Sequence, residues 1–300
     1  MLERIVVALD GSLTAEAVLP HVRRILRRQD SEIILVRAVV PPPVENAILI
    51  VDASLGAARA YIGGIQQRLE REGVRVSSEV RPGSAIGVIL DVVDDRKATM
   101  VAMATHGASG LKRILLGSVA EAILRKSSVP VLVVRPFWTS RDEMPEVPES
   151  APMRNLLLPV DGSDLAELAV PAALELARLY EARTILMRVL EETKEEDAAE
   201  VREAEEHLDA IARTFERRAV DTFLLVERGN PVDQILKAAR FHHADLIVMT
   251  THGRSGISRL VTGSVTEQVL RRAPVPLLVV RAKQARRRQP SASKRKAGRP

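Results

Sequence analysis

Residues 103–118 read MATHGASGLKRILLGS and residues 249–264 read MTTHGRSGISRLVTGS, with nine of sixteen aligned positions identical. Both follow an apolar run and lead into an amphipathic one. Gly107, Gly110 and Gly117, and their counterparts Gly253, Gly256 and Gly263, let the backbone bend and approach a ligand closely. Ser118 and Ser264 open helices, whose first N–H groups lack internal partners and carry partial positive charge. That arrangement suits a phosphate, with Lys112, Arg113, Arg254 and Arg259 as further countercharge. The same residues also satisfy a plainer pattern. Ser118-Val119-Ala120-Glu121 and Ser264-Val265-Thr266-Glu267 are capping boxes, in which serine only closes the helix start. An upstream Asp-Gly-Ser accompanies each loop, Asp10-Gly11-Ser12 and Asp161-Gly162-Ser163, and this pairing favours a binding site.

Other chemistries find less support. No G-x-x-x-x-G-K-[ST] and no strand-following G-x-G-x-x-G occurs, so the two commonest phosphate-loop designs are absent. With no cysteine, a disulfide framework, a thiolate zinc site and a thiol nucleophile are excluded. His106 and His252 stand singly in their loops and are read as loop-stabilising hydrogen bonders, because metal sites need several convergent ligands. The pair His242-His243 falls at a helix end. Acidic runs at Glu191–Glu196 and Glu203–Glu206 read as a solvated face. Asp10 and Asp161 are the only candidates for catalysis, and neither has a recognisable base or nucleophile beside it. Aromatic residues are 2% of the chain and Trp138 lies between the repeats, which disfavours base-stacking platforms for single-stranded nucleic acid and a flavin site.

The elements that must position these residues are also duplicated. Asp10-Gly11-Ser12 recurs at an offset of 151, and His106-Gly107, Gly117-Ser118 and Val133-Val134-Arg135 recur at 146. Residues 1–136 and 153–282 are therefore read as two copies of one domain. Residues 137–152, rich in proline and charge, form a linker. The first copy alternates strands at 4–10, 32–40, 74–80, 99–104 and 130–135 with helices at 13–28, 52–72, 84–95 and 118–127. The second places strands near 155–160, 183–190, 220–227, 245–250 and 276–281. Strands apolar on both faces and separated by helices predict a parallel sheet covered on both sides. The fold class is α/β: two tandem doubly wound, Rossmann-like domains. In such sheets ligands bind beyond the carboxyl ends of the strands, at the switch point. Asp10 and the repeated loop both lie at such ends.

Net charge is +5, but residues 282–300 hold eight Lys/Arg and no acid, so the rest carries −3. Residues 283–300 are read as a disordered basic tail, chiefly solubilising, with contact to nucleic acid phosphates as the alternative. Neither a signal peptide nor an uninterrupted apolar run of membrane length is apparent, which predicts a cytoplasmic protein with no membrane partner.

Taken together, VALDGS and PVDGS at the first strand ends, THGASGLKRILLGSVAEAILRKSSVPVLVVR in the first copy and THGRSGISRLVTGSVTEQVLRRAPVPLLVVR in the second resemble a two-domain universal stress protein. GNPVDQILKAARFHHADLIVMTTHG extends the match. The resemblance implies a five-stranded parallel sheet per domain. It also implies, for the nucleotide-binding branch, one ATP per domain; Mg²⁺ is expected only as the ion that ATP usually carries. That branch carries G-x-x-G, nine residues, then G-[ST]. Gly107 and Gly117-Ser118 match the later positions, as do Gly253 and Gly263-Ser264. The first glycine is replaced by Ala104 and by Thr250, side chains that crowd the ligand, threonine more than alanine. By the same resemblance Asp10 and Asp161 meet the ribose or adenine, and backbone groups near Val39 and Leu190 meet the adenine. The second copy is the more typical, with Pro231 and Asp245 where the first has Ala85 and Thr99. The copies are expected to join through strands 130–135 and 276–281 as an internal pseudo-dimer, with a homodimer of whole chains and an unidentified protein partner as further expectations. The leading function is a stress-response protein that binds ATP or a related adenine nucleotide as a sensor or regulatory module. A nucleotide-free interaction protein and a slow ATPase remain the alternatives.

Overall fold

The computed structural model describes residues 2–26, 31–43, 48–105, 116–135, 152–192, 198–251 and 264–281. The tail and nearly all of the linker lie outside them.

The first half runs β1 (Arg4–Ala8), α1 (Leu13–Glu16), α2 (Leu19–Ile25), β2 (Glu32–Val39), α3 (Ile48–Arg71), β3 (Arg75–Pro82), α4 (Ala85–Asp95), β4 (Met100–Ala104), α5 (Ser118–Lys126) and β5 (Val131–Val134). The second repeats this order: β6 (Asn155–Pro159), α6 (Asp164–Glu167), α7 (Val170–Tyr180), β7 (Arg183–Leu190), α8 (Ala198–Glu216), β8 (Thr222–Arg228), α9 (Pro231–Phe241), β9 (Leu246–Thr250), α10 (Ser264–Arg272) and β10 (Leu277–Val280). Strand alternation sends side chains to opposite faces. Ile5 and Val7 enter one core layer with Ile33 and Leu35, while Val6 enters the other with Ile34 and Val36. Both layers draw on both halves of the chain.

All ten strands form one sheet in the order β3-β2-β1-β4-β5-β10-β9-β6-β7-β8. Within each half the pairing is parallel. The halves meet antiparallel, Leu277 opposite Val133 and Val279 opposite Val131, at the two strands named from the sequence. Matching contacts flank this seam. Arg135 Nη1 donates to the Arg271 carbonyl at 2.7 Å, and Arg281 Nη1 donates to that of Ser127 at 3.3 Å. Each guanidinium thereby meets carbonyls at the C-terminal end of the other half's helix, where the helix dipole favours a cation. Arg24 pairs with Asp245, and the Tyr180 hydroxyl donates to the Ile25 carbonyl.

Residues 13–28, predicted as one helix, divide into α1 and α2. Pro20 lies in the first turn of α2, where its missing N–H costs nothing, but its ring would clash with a carbonyl of a continuous helix four residues back. Pro171 divides α6 from α7 in the same way. Among the described residues α3 alone is long and apolar enough to cross a membrane, a property that the sequence expectation of no uninterrupted run passed over because Asp52 and Arg59 interrupt it. Leu55, Ala58, Ile62, Ile65 and Leu69 of α3 are buried.

Candidate functional site

In each copy Asp-Gly-Ser builds the turn between the first strand and the first helix. Asp10 Oδ1 accepts from the Ser12 amide at 3.0 Å and from its hydroxyl at 2.6 Å. The Ser12 Oγ in turn accepts from the Ala15 amide and caps α1. Asp161, Ser163 and Ala166 repeat every bond. Gly11 and Gly162 sit at φ +90° and +81°, which disfavours any side chain. The space a Cβ would need at Gly11 is also taken, since the Arg37 guanidinium lies 2.8 to 3.0 Å from it. Arg188 stands likewise over Gly162, at 3.2 to 3.4 Å.

These arginines and their partners are features the sequence reasoning missed. The Tyr61 hydroxyl donates to Glu16 Oε1 at 3.0 Å, and the Arg37 guanidinium lies 4.9 Å from the Tyr61 ring centre. In the second half His207 Nε2 bonds Glu167 Oε1 at 2.9 Å, and Arg188 pairs with Glu203 at 3.2 Å. Burial first, and then the hydrogen bond to Glu16, push the Tyr61 hydroxyl well above the usual phenol range. The available signal was a basic residue inside an apolar strand run, recurring at the same offset of 151 as the aspartates.

Above this turn, a cleft of about 290 Å³ opens at the carboxyl ends of β1 and β4. The strand order reverses there, with β2 on one side of β1 and β4 on the other. Val36, Ala38, Ala85 and Ala104 give it apolar walls, and Asp10, Thr105 and Ser118 give it a polar margin. The Gly117 amide donates to the Thr105 carbonyl at 2.8 Å, which ties the start of α5 to the end of β4.

That bond corrects the expected capping box. Gly117 is the N-cap of α5 with no side-chain cap, and Ser118 is the first helical residue. The exposed Ser118 side chain and the N–H groups of Ser118, Val119 and Ala120 therefore head the helix beside the cleft. The Gly117 N–H is committed to Thr105.

Val39 does not join them by its side chain, which packs with Leu55 and Ala58 under α3, while Val36 and Ala38 face the cleft. Its carbonyl accepts from the Gly83 amide at 2.9 Å, and that of Leu190 accepts from Gly229 at 3.0 Å. Gly107, Gly110, Gly253, Gly256 and Gly263, together with His106, Lys112, Arg113, His252, Arg254 and Arg259, lie outside the described residues, as does the Ser264 side chain. His242 is the C-cap of α9 and packs against the rings of Phe223 and Phe241. Its burial, and after that Arg183, lower its pKa. Among the described residues no cluster of three or more His, Asp or Glu is placed to hold a metal ion.

The sequence profile of the universal stress protein family matches residues 1–135 and again 152–281. The chain belongs to the universal stress protein family. A universal stress protein of Mycolicibacterium smegmatis is 26% identical over 295 residues, spanning 92% of this chain and 96% of that protein. One from Mycobacterium tuberculosis strain H37Rv is 26% identical over 300 residues, again 92% and 96%. A universal stress protein from Archaeoglobus fulgidus has the same fold, with a TM-score of 0.71 at 22% identity, covering 94% of this chain and 99% of that one. As a family member with two tandem domains, this chain holds its first-domain cleft at the strand switch point.

Proposed function

We propose that this universal stress protein binds ATP or a related adenine nucleotide as a sensor or regulatory module. The observation that carries the reading is the cleft itself. Apolar walls at Val36, Ala38, Ala85 and Ala104 meet the exposed start of α5 at Ser118. A flat base suits the apolar part, and phosphates suit a helix N-terminus. The volume of about 290 Å³ matches a base with its ribose better than a whole nucleotide. The phosphates would then run outward past Ser118 at the start of α5, with any Mg²⁺ bound to them. Asp10, at the margin, is within the cleft's lining to accept from ribose hydroxyls. The Ala104 methyl narrows the floor, yet the cleft remains open with that methyl in place.

Among the described residues lining the cleft, Asp10 is the one ionisable side chain. Asp10 Oδ1 accepts from the Ser12 amide and hydroxyl, which holds the carboxylate in place at the cleft margin. The reading is of a site that binds the nucleotide without efficient hydrolysis.

Denaturing freshly purified protein and identifying released nucleotide by ion-pair chromatography tests this. Adenine nucleotide is expected, together with a raised melting temperature on adding ATP with Mg²⁺. Protein that releases none and gains no protection from melting would overturn the reading.

A further inference from the structure

The two clefts are not equivalent. We propose that only the first domain takes the nucleotide, so that the chain binds one and not two. This rests on the reading above and adds to it an asymmetry visible in the lining residues.

The repeat gives each lining residue a counterpart in the same structural place. Ala8 pairs with Val36 at the end of β1, and Pro159 pairs with Met187 at the end of β6. Ala104 closes β4 and Thr250 closes β9. Ala85 begins α4 and Pro231 begins α9, while Ala120 and Thr266 are each the third residue of their helix. In the second half every one of these five positions carries the larger residue, as does Val189 opposite Ala38. Only Val160, for Leu9, is smaller.

One of the replacements is tied down by a hydrogen bond that its counterpart, Ala120, has no hydroxyl to make. The Thr266 hydroxyl donates to the Thr250 carbonyl at 2.8 Å, and both side chains are buried. The bond satisfies a hydroxyl that would otherwise be costly to bury and holds the Thr266 side chain against the end of β9, where the first domain has only the methyl groups of Ala120 and Ala104. Met187, level with Pro159 in the sheet, is fully buried. A nucleotide entering the second domain would therefore meet larger side chains at the positions that leave the floor of the first cleft open.

Equilibrium dialysis of the full chain with ATP and Mg²⁺ gives the stoichiometry, and photolabelling with 8-azido-ATP followed by peptide mapping gives the place. Binding near one per chain, with label confined to peptides of residues 2–135, is the expected result. A double variant, Ala104→Thr with Ala120→Thr, transplants both threonines into the first domain and should weaken binding at least tenfold with an unchanged circular dichroism spectrum. Two nucleotides per chain, label in residues 152–281, or full binding by a folded double variant would overturn the asymmetry and leave nucleotide binding intact. No binding by the wild-type chain would overturn both.

Discussion

Replacing Asp245 with alanine breaks an ion pair that joins the two domains, and its cost can be worked from the contacts. Arg24 of α2 and Asp245, just before β9, have side chains only 8% and 14% exposed. Asp245 Oδ1 accepts from Arg24, while its Oδ2 accepts from the backbone amides of Arg154 and Asn155 at 2.6 and 2.9 Å. Arg24 also donates to the Pro152 carbonyl at 3.1 Å. Removing one partner of a buried pair typically costs about 3–5 kcal/mol, because the other charge is left desolvated. In Asp245→Ala the two amides also lose their acceptor, which holds the loss at the upper part of that range. The expected fall in melting temperature is about 10 °C. Urea unfolding of the wild type, Arg24→Met, Asp245→Asn and the double variant isolates the pair itself, since asparagine keeps an acceptor for the amides. The double variant should be more stable than the sum of the single losses predicts, by more than about 1 kcal/mol. Additivity within about 0.5 kcal/mol, or an Asp245→Ala loss below about 1 kcal/mol, would refute the reasoning. The first copy shows the pair is not a general need of the fold. There Thr99 Oγ1 accepts from the Arg4 amide at 3.1 Å, and the counterpart of Arg24 is Glu175, of the wrong sign for an aspartate at that place.

Burial, and secondarily Arg24, lower the His21 pKa from 6.5 to about 4. The folded protein keeps this imidazole neutral where the unfolded chain protonates it, so its effect is flat above pH 6.5 and stability falls as pH drops from 6.5 toward 4. The full drop is about 3 kcal/mol. His21→Ala, which installs the residue found at the equivalent Ala172, should flatten that stretch in urea titrations at pH 7.5 and pH 5, and an unchanged pH slope would contradict it. Gly162→Ala should cost about 1–3 kcal/mol, from a φ of +81° and from the Arg188 guanidinium 3.2 Å from the new methyl. Gly73→Ala, at φ +80° with open space around it, supplies the backbone part alone, and equal losses at the two sites would remove the contact argument.

The strands and their order were legible because RIVVA, EIILVRAV and MVAMA are short apolar runs between turn residues, a pattern that a parallel sheet covered on both faces requires. The seam was legible from the family resemblance and not from the residues, since VLVV and LLVV would suit any buried strand. The start of α5 at Ser118 was legible, but the residue that caps it was not. Gly117-Ser118 fits a helix capped by either residue, and the choice falls to the Thr105 carbonyl, which holds the Gly117 amide from twelve residues upstream. Such a contact leaves no local mark. Arg37 and Arg188 were passed over because each sits in a run that is apolar on average. Their purpose shows only once Gly11 and Gly162 lie beneath them.

The seam also accounts for how the second domain carries larger residues at its cleft positions without loss of the fold. β5 and β10 are short, wholly apolar strands, and each half alone would expose one of them as an unpaired edge, open to association with other chains. Pairing them with each other removes both edges. The outer edges of the ten-stranded sheet are then β3 and β8, which carry Arg75, Glu79 and Arg81, and Glu227 and Arg228. Charges of this kind discourage strand addition. The second domain meets this demand through Leu277, Leu278 and Val279, whose partners are Val133, Leu132 and Val131. Its cleft lies elsewhere, at the carboxyl ends of β6 and β9, where Pro159, Met187 and Thr250 stand. Larger side chains at those positions take nothing from the seam. The first domain can keep an open floor because the second secures its edge, and the second has no need of a ligand to do so.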